Sequence, residues 1–132
     1  MNHDPPATEI ERRERYRLAY RRGISAETLV AWIMRLRGFL VVARRYRTPV
    51  GEIDLILRRG RLLVFVEVKA RSAFETGAEA VTVASRRRIV AAAEQFVARH
   101  PRLWRHERRY DIALVARGRL PRFIANAFDA DV

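Results

Sequence analysis

Cysteine is absent from the 132-residue chain, which excludes disulfides, zinc–thiolate sites, iron–sulfur clusters and thiol nucleophiles together. Any metal must then rest on oxygen or imidazole ligands. Long apolar runs are missing too: no window approaches the roughly eighteen residues of a membrane span, and the N-terminal segment lacks the basic, apolar and small-residue succession of a signal peptide. These absences predict a non-exported, cytoplasmic protein with no membrane partner. Repeats, low-complexity tracts and interdomain linkers are also lacking, and the length favours one domain. Lysine is nearly absent. Of 27 basic side chains only Lys69 is a lysine, the other 26 being arginines. A chain that otherwise uses arginine throughout retains a compact ammonium where a guanidinium would not substitute.

What is present is positive charge. The 27 basic side chains stand against 15 acidic ones, a formal net charge of +12 with a sequence pI near 11.5. Such an excess concentrates polyanions and speeds their capture, so nucleic acid is the leading partner, although an anionic membrane or an acidic protein satisfies the same arithmetic. The 49% hydrophobic share is enough to fill a core.

Hydrophobic periodicity divides the chain into a short series of elements. Residues 1–22 read as an arm and a charged helix, the latter opened by a capping box with Thr8 at N-cap and Glu11 three residues on. A single domain is expected over 23–128, with a tail at 129–132. Within it Ser25 caps a helix whose Leu29, Ile33 and Leu36 should face the core before Gly38 stops it. FLVVARRYRT and GEIDLILRR read as strands joined at Pro49 to Gly51, and RLLVFVEVKAR as a third, central strand after an Arg59-Gly60 hairpin loop. An alanine-rich helix follows over 83–99, turning Ile89, Ala93, Phe96 and Val97 inward and stopped by Pro101. Strands at 110–116 and 120–125 complete a sheet of about five strands.

Two acids sit where an apolar core would not choose them. Asp54 in EIDLIL and Glu67 in FVEVK are each bracketed by aliphatic residues, and desolvating a carboxylate costs several kcal/mol unless something pairs with it. If Arg59-Gly60 is the loop, residues whose numbers sum to 119 face each other, so Asp54 opposes Phe65 and lies diagonally from Glu67. Asp54, Glu67 and Lys69 then share one face, whereas an odd-numbered loop would separate them. Two like charges on one face call for a compensating cation. With only oxygen ligands on offer, Mg²⁺ or Mn²⁺ is expected, leaving room for a phosphate oxygen. That layout suits phosphodiester hydrolysis, with Lys69 holding or deprotonating a water or steadying the developing charge.

Gly51-Glu52-Ile53-Asp54-Leu55-Ile56 and Val64-Phe65-Val66-Glu67-Val68-Lys69-Ala70-Arg71 closely resemble the YraN-like family of predicted endonucleases, within the PD-(D/E)XK nuclease superfamily. The resemblance spans about residues 24 to 127 and implies an α/β, restriction endonuclease-like fold: a mixed sheet flanked by helices. By it Asp54 matches the first acidic metal ligand, and Glu67, Val68 and Lys69 match the E-x-K triplet, in which Val68 offers its backbone carbonyl. Glu27 matches an additional helix acid. DNA rather than RNA is implied by the resemblance alone, and a homodimer is compatible with it. The chain departs from the family where Arg45-Tyr46-Arg47 stands in place of an asparagine, and where Arg86 to Arg88 stand in place of a lysine.

Plainer roles compete at each position. Asp54 can pair with an arginine, Glu67 with Lys69, and an acid in a helix's first turn, as Glu27 is, is favoured by the macrodipole whether or not it binds metal. Glu52 is expected to pair with a nearby arginine. Arg44, Arg45, Arg47, Arg71, Arg86, Arg87 and Arg88 are candidates for the phosphate backbone, or a solvated face of an arginine-rich chain. The enzyme reading therefore has a main rival, a noncatalytic nucleic-acid-binding module on the same fold. A lesser one, a basic protein docking on a membrane or acidic partner, would need an amphipathic helix with a basic face, which only residues 8–22 approach.

Overall fold

The computed structural model describes residues 25–70, 81–116 and 118–131. The expected helix over 8–22 and Arg71 lie outside them. In chain order the elements are α1 (Ala26–Leu36), β1 (Leu40–Thr48), β2 (Gly51–Arg59), β3 (Leu62–Ala70), α2 (Val83–Arg99), β4 (Glu107–Val115) and β5 (Arg122–Phe128). The five strands form one mixed sheet in the order β1-β2-β3-β4-β5, with β3 and β4 parallel and every other pair antiparallel. A parallel pair cannot be joined by a hairpin, and α2 lies in the crossover between its strands. The expected fold class, a mixed sheet of five strands flanked by helices, is thus what the chain adopts. No helix among the described residues is long and apolar enough to cross a membrane.

Local chemistry explains both helices. Ser25 caps α1, its hydroxyl accepting from the Thr28 N–H at 3.2 Å. Gly38, at φ +91°, ends it with the paired bonds of a Schellman turn, Gly38 N–H to Arg35 O and Phe39 N–H to Met34 O, each 3.0 Å. Thr82 caps α2 by accepting from the Ser85 N–H at 3.1 Å. Each helix covers one face of the sheet. On one, α2 packs Ile89, Ala92, Ala93, Phe96 and Val97 against Ile56, Leu63 and Phe65; on the other, α1 packs Val30, Ala31 and Met34 against Leu55, Leu57, Val64 and Val66. β3 is buried on both faces over Leu63 to Val66, as its unbroken apolar run predicts.

Two expectations need correction. The inward stripe of α1 is Glu27, Val30, Ala31 and Met34, while Leu36 is 87% exposed and Leu29 and Ile33 are only half-buried. Apolar residues occupy two adjacent stripes of this helix, and the one bearing small Ala31 allows the closer approach to the sheet. The β2–β3 hairpin loop is Gly60-Arg61 rather than Arg59-Gly60, since Arg59 pairs with Leu62 and Arg58 with Leu63. Gly60 has φ +60°, and a type II′ hairpin places its glycine at the first loop position.

Gly51 fastens the start of β2 to α2, because a Cβ there would overlap the Arg88 carbonyl. Gly51→Ala is therefore expected to cost about 1 to 2 kcal/mol of stability through forced separation of helix and strand. Gly60→Ala, with open space around its Cβ, should cost about 1 kcal/mol from backbone strain alone. Urea midpoints of the two variants check the order.

Candidate active site

The corrected loop shifts the β2–β3 register so that facing residues sum to 121. The shift is by two, so side-chain parity survives: Asp54, Glu67 and Lys69 remain on one face, and Asp54 comes opposite Glu67 instead of Phe65. The ladder itself stops at Leu55↔Val66. Two residues past Val66, the Val68 N–H donates at 2.7 Å to the Asp54 carboxylate. N–H and C=O of one residue leave a strand on the same edge, so the Val68 carbonyl opens onto the same gap.

A local break in β1 and β2 aims Asp54 at that gap. Strict alternation would put Ile53 with Leu55, yet Ile53 and Ile56 both pack on the α2 side while Leu55 packs on the α1 side. In β1, Ala43 and Tyr46 repeat the three-residue step. Between the pairs Arg44↔Leu55 and Tyr46↔Ile53 sit Asp54 and Arg45, the latter at φ +49°. Irregularities of this kind re-aim a side chain out of the pleat.

The two acids share a pocket of about 280 Å³ lined by Glu52, Asp54, Glu67, Ser85, Arg88 and Ile89. Lys69 Nζ lies 3.2 Å from Glu67 Oε1, with the lysine side chain 29% and the glutamate side chain 15% exposed. Burial, and then the Asp54 carboxylate, push the Glu67 carboxyl up to about 7 against the opposing pull of Lys69. Burial also raises Asp54, opposed by the hydrogen bond from Val68. Glu67 therefore keeps its proton to a higher pH than an ordinary carboxyl, which relieves the repulsion between the two acids wherever no cation does so. Glu52 pairs with Arg47 at 3.6 Å, as expected, and its strand position also brings it to the pocket wall.

Glu27 is placed differently from the other acids. Although buried on the inner stripe of α1, its carboxylate accepts from Arg44 Nε at 3.1 Å and Arg45 Nε at 3.2 Å and does not line the pocket. Arg44 also donates to Thr28 Oγ1 at 2.6 Å. These two arginines tie α1 to the edge strand. Of the basic candidates on α2, Arg88 lines the pocket, whereas Arg86 donates to the Val81 carbonyl at 3.1 Å and leans over the Phe128 ring; Arg87 is exposed on the same turn.

Sequence reasoning missed Ser85 as a lining residue, and read Tyr110-Asp111-Ile112 only as part of a strand without singling out Asp111 as a third buried acid. Asp111 is 3% exposed and accepts from Arg109 Nε and Nη2 and from the Asn126 N–H, each at 2.9 Å. Its bracketing by Tyr110 and Ile112 resembles that of Asp54, but an arginine two residues earlier on the same strand face neutralises it. Asp111 is a structural acid, holding the irregular β4–β5 junction where Asn126 sits at φ +52°.

Among the described residues no three acids or histidines gather closely enough to form a metal cage. The donor set at the gap nevertheless fits a hard divalent cation that keeps several waters: two carboxylates whose mutual repulsion it would relieve, and the Val68 carbonyl. Asp54, Glu67 and Val68 are the residues that would hold it.

Asp54, Glu67 and Val68 fall within the part of the chain that matches a known protein family. A family profile described as "Uncharacterised protein family UPF0102" matches residues 26–115, which contain α1 through β4. A UPF0102 protein of Brucella canis is 48% identical over 118 residues, covering 89% of this chain and 94% of that one. One of Rhodopseudomonas palustris is 48% identical over 112 residues (85% and 83% covered), and one of Bradyrhizobium diazoefficiens 46% over 112 residues (85% and 84%). The chain belongs to the UPF0102 (YraN-like) family.

Proposed function

We propose that the protein is a metal-dependent nuclease of the PD-(D/E)XK type that hydrolyses phosphodiester bonds, with DNA as its substrate. The observation that carries this reading is the meeting of Asp54 and Glu67 beside Lys69 at a gap where the β2–β3 ladder opens. A purely structural pair of acids would have a permanent cationic partner for each, as Asp111 does; among the described residues Asp54 meets no cation, only the Val68 N–H and the Glu67 carboxyl.

A bound Mg²⁺ or Mn²⁺ would polarise the scissile phosphate and lower the pKa of a water. Asp54 and Glu67 would hold that ion through two oxygens on neighbouring strands. Lys69 does not line the pocket but, held 3.2 Å from Glu67, can orient the attacking water and take or give a proton, which a guanidinium does not do. Arg88 and Ser85 on the opposite wall supply donors for non-bridging phosphate oxygens. The chain's +12 charge draws in the polyanion.

The alternative, a noncatalytic nucleic-acid-binding module, is favoured by the Glu67–Lys69 ion pair, which satisfies one carboxylate without metal. Incubating purified protein with labelled linear, single-stranded, flapped and four-way DNA, in Mg²⁺, Mn²⁺ or EDTA, separates the two. Cleavage that requires the ion supports the nuclease, while binding without cleavage under every condition supports the module. Binding itself should weaken steeply with salt, log K falling by about 0.9 per phosphate contacted for each tenfold rise in concentration. A flat salt response would remove nucleic acid as the partner in either reading.

A further inference from the structure

A second surface with nucleic-acid chemistry lies beyond the C-terminal end of α2. Trp104 is 60% exposed, although so large an apolar ring is normally mostly buried. The backbone presenting it is well fixed. Pro101–Leu103 form a 3₁₀ turn in which the Leu103 N–H donates to His100 O at 2.9 Å, and the His106 N–H donates to Leu103 O at 3.0 Å. The Glu107 N–H then donates to Arg61 O at 2.9 Å as the chain enters β4.

Charge around the indole is one-sided. From Arg99 to Arg109 there are five arginines and a single acid, Glu107. Arg108 pairs with Glu94 and Arg109 with Asp111, but Arg99, Arg102 and Arg105 are exposed and make no ion pair among the described residues. The Arg105 guanidinium stands 5.1 Å over the Trp104 ring. The carboxylate pocket meets the other end of α2, at Ser85 and Arg88; a 17-residue helix is about 25 Å long, so the two regions do not overlap.

We propose that Trp104 with Arg99, Arg102 and Arg105 forms a stacking platform for single-stranded nucleic acid, separate from the carboxylate pocket. An exposed indole offers its face to an unpaired base, a contact that tolerates any sequence, while neighbouring arginines hold the flanking phosphates. Duplex DNA hides its base faces and gains only the arginine contacts. An anionic lipid surface also attracts tryptophan and arginine, but membrane-surface helices bury a whole apolar face, and here one indole stands on a single turn. The inference rests on the nucleic-acid partner proposed from the chain's +12 charge and not on the acid pair.

Trp32 and Trp104 are the two tryptophans, so Trp32→Phe leaves Trp104 as the sole indole reporter. This variant, in EDTA at low salt, is titrated with an oligothymidylate of about twelve nucleotides, a blunt duplex of equal length, heparin and phosphatidylglycerol vesicles. Saturable quenching by the oligothymidylate, weaker with duplex and absent with heparin, is the expected result. Trp104→Ala in the otherwise unaltered protein should weaken oligothymidylate binding about tenfold, and Trp104→Phe should restore most of it. Equal quenching by heparin, unchanged affinity in Trp104→Ala, or an emission change with vesicles alone would overturn the proposal. The titration in EDTA is independent of the cleavage assay: quenching here with no cleavage there in Mg²⁺ or Mn²⁺ would remove the nuclease reading and leave the platform standing, and the reverse pattern would do the opposite.

Discussion

Asp54→Asn is expected to lower metal-dependent DNA cleavage by at least about a thousandfold while leaving the fold intact. The amide retains an oxygen that accepts from the Val68 N–H, now held at 2.7 Å by the carboxylate, so the opening between β2 and β3 keeps its local support. What disappears is one of two negative charges that would hold the divalent ion. Lys69→Arg is the sharper companion. A guanidinium can still pair with Glu67, whose partner is now Lys69 Nζ at 3.2 Å, and the folded state should be unchanged by circular dichroism and urea unfolding. Cleavage should nonetheless drop about a hundredfold or more, because a planar, permanently charged group neither fits the ammonium's place nor exchanges a proton. Single-turnover rates on a labelled substrate measure both. Full activity in Lys69→Arg would make the chain's one lysine a chance survivor, and cleavage persisting in Asp54→Asn would assign it to a contaminant.

The site was readable in the sequence because parity is more robust than register. Moving the loop from Arg59-Gly60 to Gly60-Arg61 changed which residue opposes Asp54 but shifted the pairing sum by an even number, so the three site residues stayed on one face. What alternation could not foretell is the break at Asp54, where Ile53 leaves the face that Leu55 occupies. That break depends on the left-handed backbone at Arg45 in the neighbouring strand, a residue type that gives no warning of positive φ. In α1 the apolar pattern admitted two solutions, and the one the chain adopts carries an acid on its inner stripe. Glu27 is tolerated there because Arg44 and Arg45 reach it from β1, a tertiary contact invisible to a helical wheel. The same limit explains Asp111. An acid within an apolar strand signals that some partner exists, and only the fold distinguishes a resident guanidinium from a place left for a cation.

That distinction has a consequence for stability. The Glu67 carboxyl rises from an ordinary value of 4.5 to about 7, burial being the largest cause and Asp54 the next, and Asp54 moves in the same direction. Between these pH values the folded state holds more protons than the unfolded chain, so unfolding free energy falls as pH rises. The full contribution is present below about pH 4.5 and is lost as pH climbs through about 7. Discounted for partial exposure, the loss amounts to about 2 kcal/mol, or a melting temperature lowered by roughly 5 to 10 °C at this chain length. Glu67→Gln should flatten that slope and raise the metal-free melting temperature at pH 8, since it removes the charge that burial opposes. Mn²⁺ should separate the two proteins: a stabilisation at pH 8 in the wild type, about 2.7 kcal/mol at a hundred times the dissociation constant, that fades at pH 5 as protons compete. Glu67→Gln, with half of the anionic pair gone, should show little of it. Thermal melts at pH 5 and pH 8, with and without Mn²⁺, give the four values for each protein. An equal metal shift in both would place the ion elsewhere, and a wild-type stability that does not fall between pH 5 and pH 8 would mean that the two acids are kept ionised by a partner other than metal.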